Sequence, residues 1–270
     1  MSLEEMKEMA KTVRRDIVKM TCAAGSGHPG GSLSSTDILV ALYFGKMNHN
    51  PLKPDWEERD RFVLSKGHVC PALYAVLSRA GYFAPDELMT LRQMFSRLQG
   101  HPAKNKKLPG IEVSSGSLGQ GLSVAVGIAL GAKIDKKPFK TYCLCGDGEL
   151  QEGQIWEAVM TAAHYKLDNL VCMVDKNNLQ IDGKVHDVMN IDPLKEKFDS
   201  FNWHTIECDG HDFDSLNKAY DEAISTKGKP VVIIAETIKG KGVSFMEDQA
   251  GWHGKAPNKE QCELALQELS

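Results

Sequence analysis

The sequence has no Cys-x-x-Cys pair, no dense run of lysine and arginine, and no stretch approaching the roughly 18 apolar residues of a membrane-spanning helix. The first absence argues against a structural zinc site, the second against a nucleic-acid surface, the third against a spanning segment. A net charge of −4 and a pI near 6.1 agree with the second exclusion. Seven cysteines are an odd number, and apart from the alternating Cys143 and Cys145 they are scattered. They read as reduced, mostly buried thiols of a cytoplasmic protein. The acidic start, Met1-Ser2-Leu3-Glu4-Glu5, reads as the opening of an amphipathic helix and not as a signal peptide. Walker A, H-E-x-x-H and G-x-S-x-G signatures are all missing. Gly25-Ser26-Gly27-His28-Pro29-Gly30 formally fits G-x-G-x-x-G, but it follows a helical segment where a dinucleotide fingerprint needs a strand.

What is present suits a folded α/β protein. A chain of 270 residues with 42% hydrophobic content can bury one large core or two small ones. Helical periodicity runs from Leu3 to Ala24, then a Gly/Ser-rich turn, then a helix over Thr36 to Gly45. A strand over Arg61 to Ser65 leads into a helix over Pro71 to Ala80, and Pro85 opens another. Gln99 to Gly116 reads as a long loop, and Gln120 to Lys133 as a helix apolar enough to be buried. Strands at 141–145, 170–174, 203–208 and 230–237 alternate with helices at 153–166 and 213–226, and a short helix closes the chain from Lys259. This alternation predicts a central, mostly parallel sheet with helices on both faces. No repeat or convincing linker divides the chain, so 1–270 reads as one domain.

The chemistry concentrates at two strand ends. Gly146-Asp147-Gly148-Glu149 follows one apolar strand and Asp175-Lys176-Asn177-Asn178 the next, which places both clusters where parallel sheets bind ligands. Asp147 offers a carboxylate, Asn177 an amide oxygen, and the glycines let backbone N–H groups approach an anion. Such a set suits Mg²⁺ with a diphosphate, with Ca²⁺ or Mn²⁺ equally served by oxygen ligands. Four of the nine histidines, His28, His68, His101 and His253, sit beside glycine or proline, where loop side chains can enter a cleft.

Gly146-Asp147-Gly148, a gap of 28 residues, then Asn177-Asn178 resembles the thiamine diphosphate signature. The surrounding residues resemble transketolase, from near the N-terminus to Gly254. The resemblance implies a metal held by Asp147, the Asn177 side chain and the Leu179 carbonyl. Asn178 could serve in place of Asn177, but alignment on Ile181-Asp182-Gly183 favours Asn177. It implies that His28 contacts donor-ketose hydroxyls, that His68 lies by the cofactor diphosphate, and that His101 touches the ketose C1 hydroxyl. Gly116, Ser117 and Leu118 would cradle thiamine, Gly146 and Gly148 flank the diphosphate, Lys239 serves it, and His253 meets substrate. Glu152 and Glu157, in a helix over Gly148 to Glu157, would form an acidic pair linking two active sites at a dimer interface, although a spacing of five does not stack them.

In transketolases the glutamate that activates the cofactor, and the arginines that grip the sugar phosphate, lie in a second, pyrimidine-binding domain beyond the matching segment. The resemblance therefore implies either a fragment or, the favoured reading, the N-terminal subunit of a split transketolase in an α₂β₂ assembly with a C-terminal partner. The implied reaction is reversible transfer of a two-carbon ketol group between sugar phosphates, through a dihydroxyethyl intermediate. The pattern leaves open another thiamine enzyme, of the 1-deoxyxylulose 5-phosphate synthase or 2-oxo acid dehydrogenase α type, and a cofactor-binding module without activity. A metal-dependent phosphatase is a weaker alternative, since it leaves the four loop histidines unused. Which ketose and aldose are physiological is also open, with apiose-derived and sulfonated sugars included.

Overall fold

The computed structural model describes all 270 residues. The Ser2 hydroxyl accepts the Glu5 N–H while the Glu5 carboxylate accepts the Ser2 N–H, a reciprocal cap that starts α1 (Leu3–Ala24). Gly25, at φ 59°, ends it. Two short helices follow, α2 (Pro29–Ser34) and α3 (Thr36–Ala41), then a π turn over Leu42–Lys46. The first strand, β1 (Arg61–Leu64), leads to α4 (Cys70–Arg79) and a 3₁₀ helix over Pro85–Thr90. Next come α5 (Gln120–Ile134), β2 (Thr141–Gly146), α6 (Gly153–His164) and β3 (Leu170–Lys176). A small hairpin of β4 (Leu179–Gln180) and β5 (Gly183–Lys184) precedes α7 (Val185–Met189) and α8 (Leu194–Ser200). The chain closes with β6 (His204–Asp209), α9 (Phe213–Ser225), β7 (Val231–Glu236) and α10 (Lys259–Glu268).

Five strands form one parallel sheet in the order β1-β2-β3-β7-β6. Successive side chains on a strand point to opposite faces, so the sheet feeds two cores. Tyr142, Leu144, Met173 and Ile233 join a core with α1, α3, α4 and α9. Cys143, Cys145, Cys172 and Ile234 join a second core with α5, α6 and α8. All seven cysteines are free thiols, with only Cys22 and Cys208 partly exposed. No helix is long and apolar enough to cross a membrane. The register aligns Gly146 with Asp175 and Asp175 with Ala235, so the ends of β2, β3 and β7 are level and release their loops together.

Several elements differ from the sequence expectation. The Gly/Ser-rich turn is partly helix, because Pro29 presets the first position of α2. Its Gly30 is packed so closely that a Cβ would lie 2.9 Å from the Trp252 carbonyl oxygen. The helix expected over Thr36 to Gly45 ends at Ala41 and widens into the π turn. The segment Gly148 to Glu157 is not one helix: a 3₁₀ turn covers Gly148–Gln151, Glu152 is extended at ψ 127°, and α6 starts after it. Helix α5 is buried on one side only, since Gln120, Val124, Gly127 and Ile134 form an exposed stripe at helical spacing. The elements within 179–200 have no counterpart in the sequence expectation; at two to seven residues each they are too short to show a period.

Candidate cofactor and substrate site

The ends of β1, β2, β3 and β7 open onto a cleft of about 310 Å³. Asp147, Asn177 and Leu179, the three expected metal donors, line it together. Asp147 Oδ1 accepts the Gly148 N–H at 2.8 Å and its Oδ2 accepts the Asn178 N–H at 2.5 Å, which bridges the two strand ends. The Asn177 amide oxygen accepts the Leu179 N–H at 3.2 Å. Asn178 takes φ 60° and contributes its backbone N–H, in keeping with Asn177 as the donor side chain. Burial and the neighbouring Asp175 raise the Asp147 carboxyl to about 6. Bringing a cation beside it would favour the ionised form. No group of three or more His, Cys, Asp or Glu side chains is placed to hold a metal ion, so any metal here needs the amide and the backbone carbonyl.

Lys239 is buried and donates to the Leu179 carbonyl at 3.2 Å, beside His253 Nδ1 at 3.0 Å. Burial lowers its pKa to about 8, which leaves it largely charged at neutral pH. The four loop histidines converge. His28 lies with ring centroids 5.2 Å from His68, 5.7 Å from His253 and 6.3 Å from His101, and His68 lies 5.0 Å from His253. Burial, reinforced by nearby cations, lowers His28 to about 4, His68 to about 2 and His253 to about 3. His101 is lowered too, by burial and then by Arg92. All four imidazoles are therefore neutral at pH 7 and can each donate and accept.

The loop carrying Gly116, Ser117 and Leu118 runs beside His101: a Cβ on Gly116, at φ 149°, would lie 2.9 Å from the imidazole Cδ2. Gly116 and Leu118 line the cleft. Glu152 lines it as well, whereas Glu157 faces outward from α6. The structure thus separates this pair, with one member at the cleft and the other on the exposed helix face.

Sequence reasoning assigns no role to the buried groups beneath. Asp175 accepts Lys66 Nζ at 2.5 Å, the Ser34 and Ser35 hydroxyls at 2.5 and 2.7 Å, and the Thr237 hydroxyl. Burial alone would raise its carboxyl, but Lys66 and the hydroxyls hold it at about 2. Removing one partner of such a buried pair costs about 3–5 kcal/mol. Glu149, also buried, accepts from the Ser65 hydroxyl, from Gly119 N–H at 2.9 Å and from Gly146 N–H at 3.1 Å. It ties together three of the loops that face the cleft. Arg14, Asp37 and His211 form a second tie: His211 bonds Asp37 through Nδ1 at 2.7 Å and accepts the Ile238 N–H at Nε2, next to Lys239. The signal for these residues is absent from spacing, because their partners lie far off in the chain, 174 positions for His211 and Asp37.

Of six buried side-chain polar atoms without a hydrogen-bond partner, His28 Nδ1 belongs to a residue that lines the cleft, and Ser115 Oγ to the residue before the cleft-lining Gly116. An unpaired polar atom at the cleft wall fits a site that completes its hydrogen bonds with a ligand. Hard oxygen donors, a buried lysine and approachable glycine backbone together fit a diphosphate with a divalent cation.

The family model of the transketolase thiamine diphosphate-binding domain matches residues 5–269. An apulose-4-phosphate transketolase subunit from Actinobacillus succinogenes is 45% identical over all of this chain and 97% of its own length. A 6-deoxy-6-sulfo-D-fructose transketolase subunit from a Clostridium species is 42% identical, over 98% of this chain and 96% of that one. Human transketolase is 42% identical over 99% of this chain, which spans only 42% of the human protein. The crystal structure of Campylobacter jejuni transketolase superposes with a TM-score of 0.94 at 36% identity, covering all of this chain and 43% of that one. The chain belongs to the transketolase family as its thiamine diphosphate-binding domain, and it aligns nearly end to end with members that are themselves transketolase subunits.

Proposed function

We propose that this chain, folding as one domain over 1–270, is the N-terminal subunit of a split transketolase (EC 2.2.1.1) that transfers a two-carbon ketol group between sugar phosphates. The observation that carries this reading is the convergence of His28, His68 and His253 on the cleft that also holds Asp147, Asn177 and Leu179, with His101 outside that lining and its ring 6.3 Å from that of His28. Asp147, the Asn177 amide oxygen and the Leu179 carbonyl would hold Mg²⁺. Gly146, Gly148, His68 and Lys239 would hold the diphosphate, with Gly116, Ser117 and Leu118 along the rings. Thiamine diphosphate, when bound, supplies a nucleophilic carbon and an electron sink for breaking the bond next to a ketose carbonyl.

The protein's own residues bind, orient and move protons. His28, His101 and His253 are neutral in their surroundings, so each can hold a sugar hydroxyl as donor or acceptor and exchange a proton with it. His68 meets the diphosphate as a neutral hydrogen-bond donor, and charged Lys239 offsets part of its negative charge. Glu152 and Glu157 link two active sites across a subunit contact; the outward position of Glu157 on α6 supports that role. The assembly is an α₂β₂ heterotetramer with a C-terminal, pyrimidine-binding subunit carrying the cofactor-activating glutamate. The setting is the cytoplasm, with pentose phosphate substrates the first choice. Apulose 4-phosphate and sulfofructose, for which the two subunit relatives are named, are the alternatives to assay.

The test is ketol transfer from xylulose 5-phosphate to ribose 5-phosphate, with thiamine diphosphate and Mg²⁺, using this chain alone and with its partner. Activity only with the partner is the expected result. Full turnover by this chain alone would refute the split assignment. Cofactor binding without turnover on pentose, apulose or sulfonated sugars would leave a binding module in its place.

A further inference from the structure

Of the two arginines of this chain without a carboxylate partner, Arg15 is tied to the Leu269 carbonyl and the Thr12 hydroxyl, and Arg92 is the one beside the histidine loops. Arg14, Arg79 and Arg97 are each paired with a carboxylate. The Arg92 guanidinium is exposed and donates only to neutral oxygens, the Ser26 hydroxyl at 3.2 Å and, at the long distance of 3.4 Å, the Gly100 carbonyl. Two of its five N–H groups are so engaged, which leaves most of the fork free. Its location is the rim beside the substrate histidines: Ser26 lies two residues before His28 and Gly100 one before His101. The Arg92 charge also acts on both rings, contributing to the lowering of each. A Cβ on Gly100 would lie 2.7 Å from the Arg92 Cζ, so a glycine is what lets the guanidinium rest there.

The backbone is arranged to hold this side chain in place. Arg92 takes φ 60°, in the left-handed region that a non-glycine residue keeps only where surrounding contacts enforce it. Its N–H is held by the Leu98 carbonyl at 2.8 Å. The loop is further closed by the hydroxyls of Thr90 and Ser96 at 2.7 Å and by a two-bond Arg97–Glu87 pair at 2.7 and 2.8 Å. The loop thus holds a forked cation without a carboxylate partner against the His28 and His101 loops, outside the lining of the cleft that holds Asp147.

We propose that Arg92 binds the terminal phosphate of the sugar while His28 and His101 hold its hydroxyls, and so gives this chain its own share of phosphate selection. This rests on the ketol-transfer reading and adds to it, since the sequence resemblance places the phosphate-gripping arginines in the partner. A guanidinium binds phosphate through two parallel, charge-assisted bonds, which an ammonium reproduces only in part.

The test uses the complex reconstituted with the partner subunit, xylulose 5-phosphate as donor, and ribose 5-phosphate or ribose as acceptor. Arg92→Gln is expected to lower the ratio of kcat/KM for ribose 5-phosphate over ribose by about 10- to 100-fold, chiefly through KM for the phosphorylated acceptor. Arg92→Lys is expected to recover part of that ratio. Inorganic phosphate, as a competitive inhibitor, should weaken in parallel for Arg92→Gln. An unchanged ratio, whether both acceptors lose rate together or neither does, would overturn the proposal and make Arg92 a tether between the two histidine loops. A wild-type complex inactive on both acceptors, and inactive as well on apulose 4-phosphate and sulfofructose, would instead show the failure of the ketol-transfer reading, before any variant is compared. Activity on one of those two sugars moves the same Arg92 comparison to that substrate and its counterpart lacking the terminal anionic group.

Discussion

Asp147 lines the cleft and His101 stands outside its lining, beside His28, and the two should fail differently when replaced. Asp147 bridges two strand ends and offers the single carboxylate of the expected metal set, so Asp147→Ala should abolish metal-dependent thiamine diphosphate binding, measured by titration calorimetry with and without Mg²⁺. Unchanged affinity would remove it from the metal set. His101 stacks over Gly116 on the substrate side, so His101→Ala should lower turnover of the reconstituted enzyme by about 10²–10⁴-fold while cofactor affinity changes much less. The reverse pattern would take it off the catalytic side. The buried imidazoles also predict an acid-sensitive fold. His28 and His68 titrate lower in the folded chain, about 4 and about 2, than the ordinary 6.5. In that window the unfolded chain binds more protons, so the stability they contribute is present above about pH 6.5 and is lost as pH falls through 4. Melting temperature should drop more steeply from pH 7 to pH 4 in the wild type than in His68→Gln; equal slopes would rule out this source. The four histidines were legible because each is flanked by glycine or proline. Asp175 was visible beside Asn177, but its four buried partners were not, since Ser34 and Lys66 reach it only through the fold.

Elements were legible where a period had room to repeat. The strands over 141–146 and 170–176 and the helices α1 and α9 appear close to their expected bounds. The π turn after Ala41 and the break at Glu152 were not visible, because both depend on what the backbone packs against. Two of the three glycines of α5 show the same contrast within one helix. A Cβ at Gly121 would meet the Ser65 Cα at 2.4 Å, whereas Gly127 has nothing within 4 Å. Gly121→Ala should therefore destabilise the isolated chain by about 1–3 kcal/mol through overpacking against the end of β1. Gly127→Ala should stabilise it by about 0.5–1 kcal/mol through lower unfolded-state entropy and better helix propensity. Urea unfolding of the two variants checks both signs, and a neutral Gly121→Ala would disprove the tight α5–β1 contact.

At the scale of the whole molecule, the apolar side chains left outside are the ones that need a partner. Val124, at 38% exposure, and Ile134, at 70%, stand on α5, and Met160, at 56%, on the neighbouring α6. In the proposed α₂β₂ assembly this face is covered. Val124→Glu combined with Met160→Glu should shift the reconstituted complex to a smaller species in sedimentation velocity while circular dichroism stays unchanged. Sedimentation identical to wild type would place the contact elsewhere.

The sequence by itself determined the parallel α/β layout and the glycine-flanked acidic and histidine motifs, because side-chain period and turn chemistry are local properties. Only the tertiary structure decided which motifs share a cleft, that Lys66, Glu149 and His211 tie its loops, and that Arg92 stands unpaired at its rim. Those facts rest on contacts between residues far apart in the chain, and the level ends of β2, β3 and β7 bring them together.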